Sequence, residues 1–274
     1  MFINASPYME KNLATLTQQH GNVVEFITPS RFEVVIREQN GDDDSILSNI
    51  TLMKSSTQIN AFIRAIVVWA ENGSNPDQSY NEADILRMRL GDKYAIVLRS
   101  RIFSLGPILK FPYKWEDKEL DIHYEEELTK FLWDYANKVY PKKGDLDYND
   151  DRIPSYPAPH TDEYVQLQLT SGKKLRFKYL NGVGEKYLLD LIEFEQNINS
   201  RLIARELDLF DNGVWVKVIS FKPFKALEMM ELRRIVEEMD PQFNGIINIE
   251  NPRTGESQGI SMIGLPDFFY PREI

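Results

Sequence analysis

Val165-Gln166-Leu167-Gln168-Leu169-Thr170-Ser171-Gly172-Lys173-Lys174-Leu175-Arg176-Phe177-Lys178-Tyr179 alternates apolar and polar residues on both sides of a Ser-Gly pair. In extended chain, Val165, Leu167 and Leu169 share one face, and Leu175, Phe177 and Tyr179 share it on the return. This is the period-two pattern of a β-hairpin with one buried side, turning at Ser171-Gly172. The stretch makes the protein part β, and the segments around it decide what accompanies the sheet.

Upstream, Phe32, Val34 and Ile36 alternate with Arg31, Glu33 and Arg37, which predicts another half-buried strand. After the polar turn Gln39 to Asp44, Ile59, Phe62, Ile63, Ile66, Val67 and Ala70 fall at helical spacing and predict one apolar stripe, stopped by Asn72 to Pro76. A short helix is expected from Asp84 to Leu90. A second, with Asp92 as its N-cap, carries Tyr94, Ala95, Leu98 and Ile102 and ends at Gly106-Pro107. Leu109, Phe111, Tyr113 and Trp115 predict a hairpin arm at a sheet edge, because Pro112 has no N–H for a ladder, with Leu120-Asp121-Ile122 returning.

Downstream of the opening hairpin, helical patterning runs from Tyr187 to Ile203 and is interrupted at Asp211-Asn212-Gly213. Leu232, Ile235, Val236 and Met239 mark an amphipathic helix halted by Pro241 and Gly245, and a last hairpin joins Ile246–Ile249 to Ile260–Ile263. Prolines 141, 154, 157 and 159 among acidic residues mark a linker. The expected fold is α+β in two similar lobes, each with β-hairpins and a small helical bundle: 1–140, a Pro/Asp-rich linker 141–160, and 161–274. The halves suggest an internal duplication, since Ile36 matches Phe177 and Gly106 matches Gly245, offsets of 141 and 139.

The 274 residues carry a formal net charge of −10 and a pI near 5.0, which argues against nucleic acid as the main partner. The densest apolar run, Ala65 to Ala70, is too short to span a bilayer core of ~30 Å, and the start carries no evident secretory signal. With no cysteine, disulfides, thiol nucleophiles and thiolate zinc sites are excluded, and a reducing cytoplasm is the natural setting.

Positive signals for chemistry are weak. Asp42-Asp43-Asp44 lacks calcium-loop spacing and reads as a solvated turn before a helix. Glu125-Glu126-Glu127 reads as a solvated helix face, and His20, His123 and His160 lie far apart. Gly182-Val183-Gly184 follows a strand as a dinucleotide loop would, but Tyr187 stands where the third glycine belongs. The aromatic stretch Leu265 to Pro271 offers Phe268, Phe269 and Tyr270 as candidates for docking a partner. No catalytic residue, metal ligand or cofactor is assigned, and a non-enzymatic binding protein is expected. A hydrolase using two carboxylates from distant segments is the alternative from another class.

Two stretches carry a family resemblance. Asp92-Lys93-Tyr94-Ala95-Ile96-Val97-Leu98-Arg99-Ser100-Arg101-Ile102-Phe103-Ser104-Leu105-Gly106-Pro107, followed by Leu109 to Trp115, resembles the baseplate-assembly proteins of contractile-tailed bacteriophages, including hub-assembly proteins of T-even phages. In that family a helix ending in arginine, a spacer and glycine lead into a hairpin bearing a Cys-Pro-x-Cys-Gly knuckle. Thr170 to Phe177 resembles the family's strand-Ser-Gly-Lys-strand entry, and Leu265 to Pro271 resembles its aromatic closing segment.

The departure from the pattern is Asn251-Pro252-Arg253-Thr254-Gly255, where Pro252 and Gly255 persist but Asn251 and Thr254 replace cysteines. Lys114 to Lys118 is the comparable first-half turn and has no trace of the motif. Such hairpin ends resemble zinc knuckles that have lost their metal. The resemblance implies a tail baseplate hub-assembly protein or chaperone in the host cytoplasm, binding other phage tail proteins. A permanent part of the virion baseplate is the close alternative.

Overall fold

The computed structural model describes residues 11–55, 57–115, 122–132, 164–191, 198–239 and 245–271. The expected linker 141–160 lies outside them, as do His160 and most of the turn from Lys114 to Lys118.

Helix α1 (Leu13–His20) starts where the Asn12 side chain accepts the Thr15 N–H, and it precedes antiparallel strands β1 (Val23–Ile27) and β2 (Glu33–Arg37). Both faces of β2 are covered. Val34 and Ile36 enter the main core, while Val35 joins Leu16, Val68 and Trp69 beneath α1.

Asn40 caps α2 (Gly41–Leu47) in a reciprocal capping box with Asp43. The triple aspartate is therefore the first turn of a helix, and it is not solvated throughout: Asp43 is fully buried, clasped by Arg37 through bonds of 2.7 and 2.8 Å.

After α3 (Ile50–Lys54), α4 (Gln58–Ile66) ends earlier than its apolar stripe suggests, and β3 (Val67–Ala70) follows directly. The predicted helix to Ala70 is thus half strand. Val67-Val68-Trp69-Ala70 is buried on all sides, so period carries no information there, and antiparallel pairing with β2 decides the conformation.

Helix α5 (Glu82–Arg87) has Asn81 as its cap. Helix α6 (Leu90–Leu105) begins two residues before the expected Asp92 cap. Asp92 is buried inside the first turn, and its Oδ1 accepts the Ser30 N–H at 2.8 Å. At the far end the buried Arg101 guanidinium donates to the carbonyls of Gly106 (2.6 Å) and Ile108 (3.2 Å), tying the helix terminus to the next strand. Among the described residues that strand, β4 (Ile108–Tyr113), pairs only with β5 (Ile122–Glu127), placing Pro112 opposite His123. Glu125 to Glu127 sit on β5 and alternate across it, rather than around a helix.

The second half builds a four-stranded antiparallel sheet in the order β6 (Val165–Gln168), β7 (Lys174–Phe177), β8 (Asp208–Asp211), β9 (Val214–Lys217). The opening hairpin stands as expected, with Gly172 at φ 87° in the turn. Helices α7 (Gly182–Asp190) and α8 (Ile198–Ile203) lie between β7 and β8. At Asn212 (φ 47°) and Gly213 (φ 85°) the chain makes the left-handed turn of a tight hairpin, so the presumed helix interruption is the β8–β9 connection. Helix α9 (Ala226–Met239) follows, then the predicted last hairpin, β10 (Ile246–Glu250) with β11 (Ser257–Ser261), and the short helix α10 (Pro266–Phe269).

The result is a mixed α+β protein of several small antiparallel sheets and hairpins. Its buried residues form one main cluster running from Phe26 to Phe268 across both halves. The halves also meet through polar groups. Arg89 bridges Asn181, the Leu90 N–H donates to the Leu180 carbonyl at 3.1 Å, and the Lys93 ammonium lies 2.6 Å from the Glu185 carboxylate. Among the described residues no helix is long and apolar enough to cross a membrane.

Candidate functional site

The stretch Asn251 to Gly255 forms a tight, internally hydrogen-bonded turn. Asn251 is fully buried: its Oδ1 accepts the Arg253 N–H at 3.0 Å, its N–H donates to the Glu256 carbonyl, and its carbonyl accepts the Gly255 N–H. The Thr254 hydroxyl accepts the Glu256 N–H at 3.3 Å, and Gly255 supplies φ 72°. A side-chain carbonyl mimicking backbone is the ordinary way Asn closes a turn. Pro252 and Thr254 are exposed, and no three His, Cys, Asp or Glu side chains converge as a metal site among the described residues. The β10–β11 hairpin touches the β4–β5 hairpin: the Trp115 indole N–H donates to the Tyr124 hydroxyl (2.9 Å), which donates to the Glu250 carbonyl (3.0 Å).

The closing aromatic segment is a helix rather than an extended strip, with Pro266 at its start. Phe268 is fully buried. Phe269 packs edge-on against Phe268 and Phe62 with centroids 4.8 and 5.7 Å away. Tyr270 stays partly exposed, its hydroxyl donating to the Asp44 carbonyl at 3.2 Å. These rings close the protein's own core, and only Tyr270 shows much of its surface.

Gly182 and Gly184 have a packing reason. A Cβ on Gly182 would stand 3.0 Å from the Leu86 carbonyl oxygen, and one on Gly184 would stand 2.5 Å from that of Ala204. The glycines bring α7 against α5 and the end of α8, while the Asn181 side chain accepts the Val183 and Gly184 N–H groups at 3.1 Å. Along this seam runs an open cleft of about 360 Å³, floored by Leu52, Ala61, Ile85 and Val183 and rimmed by Arg64, Glu82 and Lys186. Of its two carboxylates, Glu185 is held by Lys93. His20 and His123 lie exposed on α1 and β5, remote in sequence and fold from this seam.

A second exposed region lies on the second-half sheet. On its outer face Arg176 is stacked between Tyr164 (4.1 Å to the ring centroid) and Trp215 (4.7 Å) and paired with Asp208 at 2.8 Å. Burial, Asp208 and Glu206 push the Tyr164 hydroxyl up to about 12. Phe210 packs against Trp215 at 5.0 Å, and beside them Val214 and Val216 on β9 stand open. On the other side of the turn at Gly172, Lys173 bonds Glu228 at 2.7 Å; with the Lys225 N–H and Ser171 it holds that carboxyl down to about 2.

Comparison of the chain with protein-family models, with curated proteins and with solved structures returns no match. Sequence reasoning had passed over the β8–β9 surface, although Asn212-Gly213 flanked by Phe210 and Trp215 carried the signal of a hairpin with apolar arms. The Lys93–Glu185 contact, 92 positions apart, left no local trace.

Proposed function

We propose that this protein is a non-enzymatic assembly factor for the tail baseplate of a contractile-tailed phage, acting by binding other tail proteins. Release as a hub-assembly chaperone is the preferred form, and retention in the baseplate is the alternative. The observation that carries the reading is the spacing of similar elements at a nearly constant offset, which supports the internal duplication expected from the sequence and fits a protein built to bind partners. Strand β2 starts at Glu33 and β7 at Lys174; β3 starts at Val67 and β8 at Asp208; each pair is 141 positions apart. Asn40-Gly41 and Asn181-Gly182 cap and open α2 and α7 at that same spacing. Each half then ends with a helix, a glycine (Gly106 or Gly245) and a two-stranded hairpin.

Two further features favour binding over carboxylate hydrolysis. The knuckle position is occupied by a turn-forming Asn251, and among the described residues the cleft beside α7 is open and largely apolar, with Glu185, one of its two carboxylates, held by Lys93.

Co-expression with phage tail proteins is expected to yield a stable complex with at least one of them. Recovery of the protein alone across the whole set would overturn the proposal. Mass spectrometry of purified particles separates the two forms, since stoichiometric peptides in the virion mean retention.

A further inference from the structure

Among the described residues strand β9 is the outer strand of the four-stranded sheet, and its edge is apolar for one left open. Val214, Val216 and Ile219 are 59%, 49% and 81% exposed. Edge strands are ordinarily blunted by charges, prolines or bulges. Here the β8–β9 register is regular from Asp208–Lys217 to Asp211–Val214, the strand has no proline, and Lys217 is its one charge. In the first half the outer side of β3 is met by the following loop, where the Ala70 N–H donates to the Gln78 carbonyl at 2.8 Å.

The geometry points to β9 as the docking edge for an extended acidic and aliphatic segment of another protein, added as a further strand of the sheet. This deepens the binding role proposed above and rests on it. Backbone groups along a sheet edge supply affinity, and alternate side chains supply specificity. On the core side, an added strand would lie beside Val214 and Val216, which calls for aliphatic residues. On the outer side it would meet Lys217, with Lys174 and Arg176 farther across the sheet, which calls for carboxylates.

The charges also discriminate among occupants. Among the described residues neither Lys174 nor Lys217 makes an ion pair, whereas Arg176 is answered by Asp208 and Lys178 by Glu206. The local surface is thus positive on a chain of net charge −10, which repels a second copy as a whole while attracting a short acidic strand. A polynucleotide would need free ring faces to stack on, but Arg176 already lies over Tyr164 and Trp215.

The test uses the full chain and a labelled synthetic peptide of alternating glutamate and valine, read by fluorescence anisotropy. Saturable binding is expected, weakening with salt. Lys217→Glu and Val216→Lys, both at exposed positions, should each weaken it about tenfold or more. In the unaltered protein the peptide should slow amide hydrogen exchange across residues 214–219, a readout that needs no variant. Equal binding of a lysine–valine peptide, indifference to both substitutions, or unchanged exchange at β9 would overturn the inference. So would tighter binding of a labelled oligo-dT at this face, or self-association abolished by the same substitutions. The peptide assay uses no tail protein, so its failure is separable from failure of the co-expression experiment.

Discussion

The Lys93 ammonium, almost wholly buried on α6, lies 2.6 Å from the Glu185 carboxylate on α7, a contact that joins the first half of the chain to the second. Removing one member of a buried pair leaves a charge without compensation. Glu185→Ala is expected to cost about 2–3 kcal/mol, below the ~3–5 of a fully enclosed pair because Glu185 is partly open to solvent. Urea unfolding measures it. The double substitution Lys93→Met with Glu185→Met should recover most of the loss, and an unchanged midpoint in the single variant would refute the assignment.

Gly41, the first residue of α2, and Gly184, in the first turn of α7, stand in opposite surroundings. Nothing lies within 4 Å of a Cβ built on Gly41, whereas one on Gly184 would meet the Ala204 oxygen at 2.5 Å and Leu180 Cδ1 at 2.7 Å. Gly184→Ala should destabilise by about 1–3 kcal/mol through overpacking. Gly41→Ala should change stability by less than about 1 kcal/mol, and on the stabilising side, by restricting the unfolded chain. Thermal melts of the two variants compare them directly, and equal losses would contradict the helix packing described.

Acid should remove the stability held in the Lys173–Glu228 tie only as the pH falls well below the ordinary carboxylate range. The Glu228 carboxyl is held down to about 2 from an ordinary 4.5, chiefly by Lys173 and then by the Lys225 N–H. A depressed folded-state value contributes stability above the ordinary one and loses it as pH falls toward 2. Glu228→Gln should therefore flatten the decline of stability between pH 4.5 and 2. A decline as steep as in the unaltered protein would show that other carboxylates govern it.

Asn251 should be required by its turn. Asn251→Ala deletes the acceptor of the Arg253 N–H, and a cost of about 1 kcal/mol is expected, the usual worth of such a bond. Faster hydrogen exchange confined to β10 and β11 would locate the effect there; uniform acceleration across the protein would not fit.

Much of the fold could be read from the chain because alternation and capping are local. The 165–179 hairpin, the helix over Leu232 to Val236 and the last hairpin all express a pattern that short-range sterics enforce. Where residues are buried on every side, pattern fails. Val67 to Ala70 carry apolar side chains in all directions, so helix and strand fit equally until β2 supplies its ladder. Asp92 and Asp43 read as surface acids because their partners, the Ser30 N–H and Arg37, are defined by folding. The candidate surface was legible in part: Asn212-Gly213 announces the β8–β9 turn, but no local pattern reveals that β9 will lie at the edge of its sheet.

Helix α10 sets Phe268 and Phe269 into the core beside Phe62 of the first half, more than two hundred positions earlier. During synthesis the ribosome still shelters residues 266–269 after the first half has emerged, so that half waits with one wall of its interior missing. Until α10 arrives, that waiting intermediate is the species most exposed to aggregation.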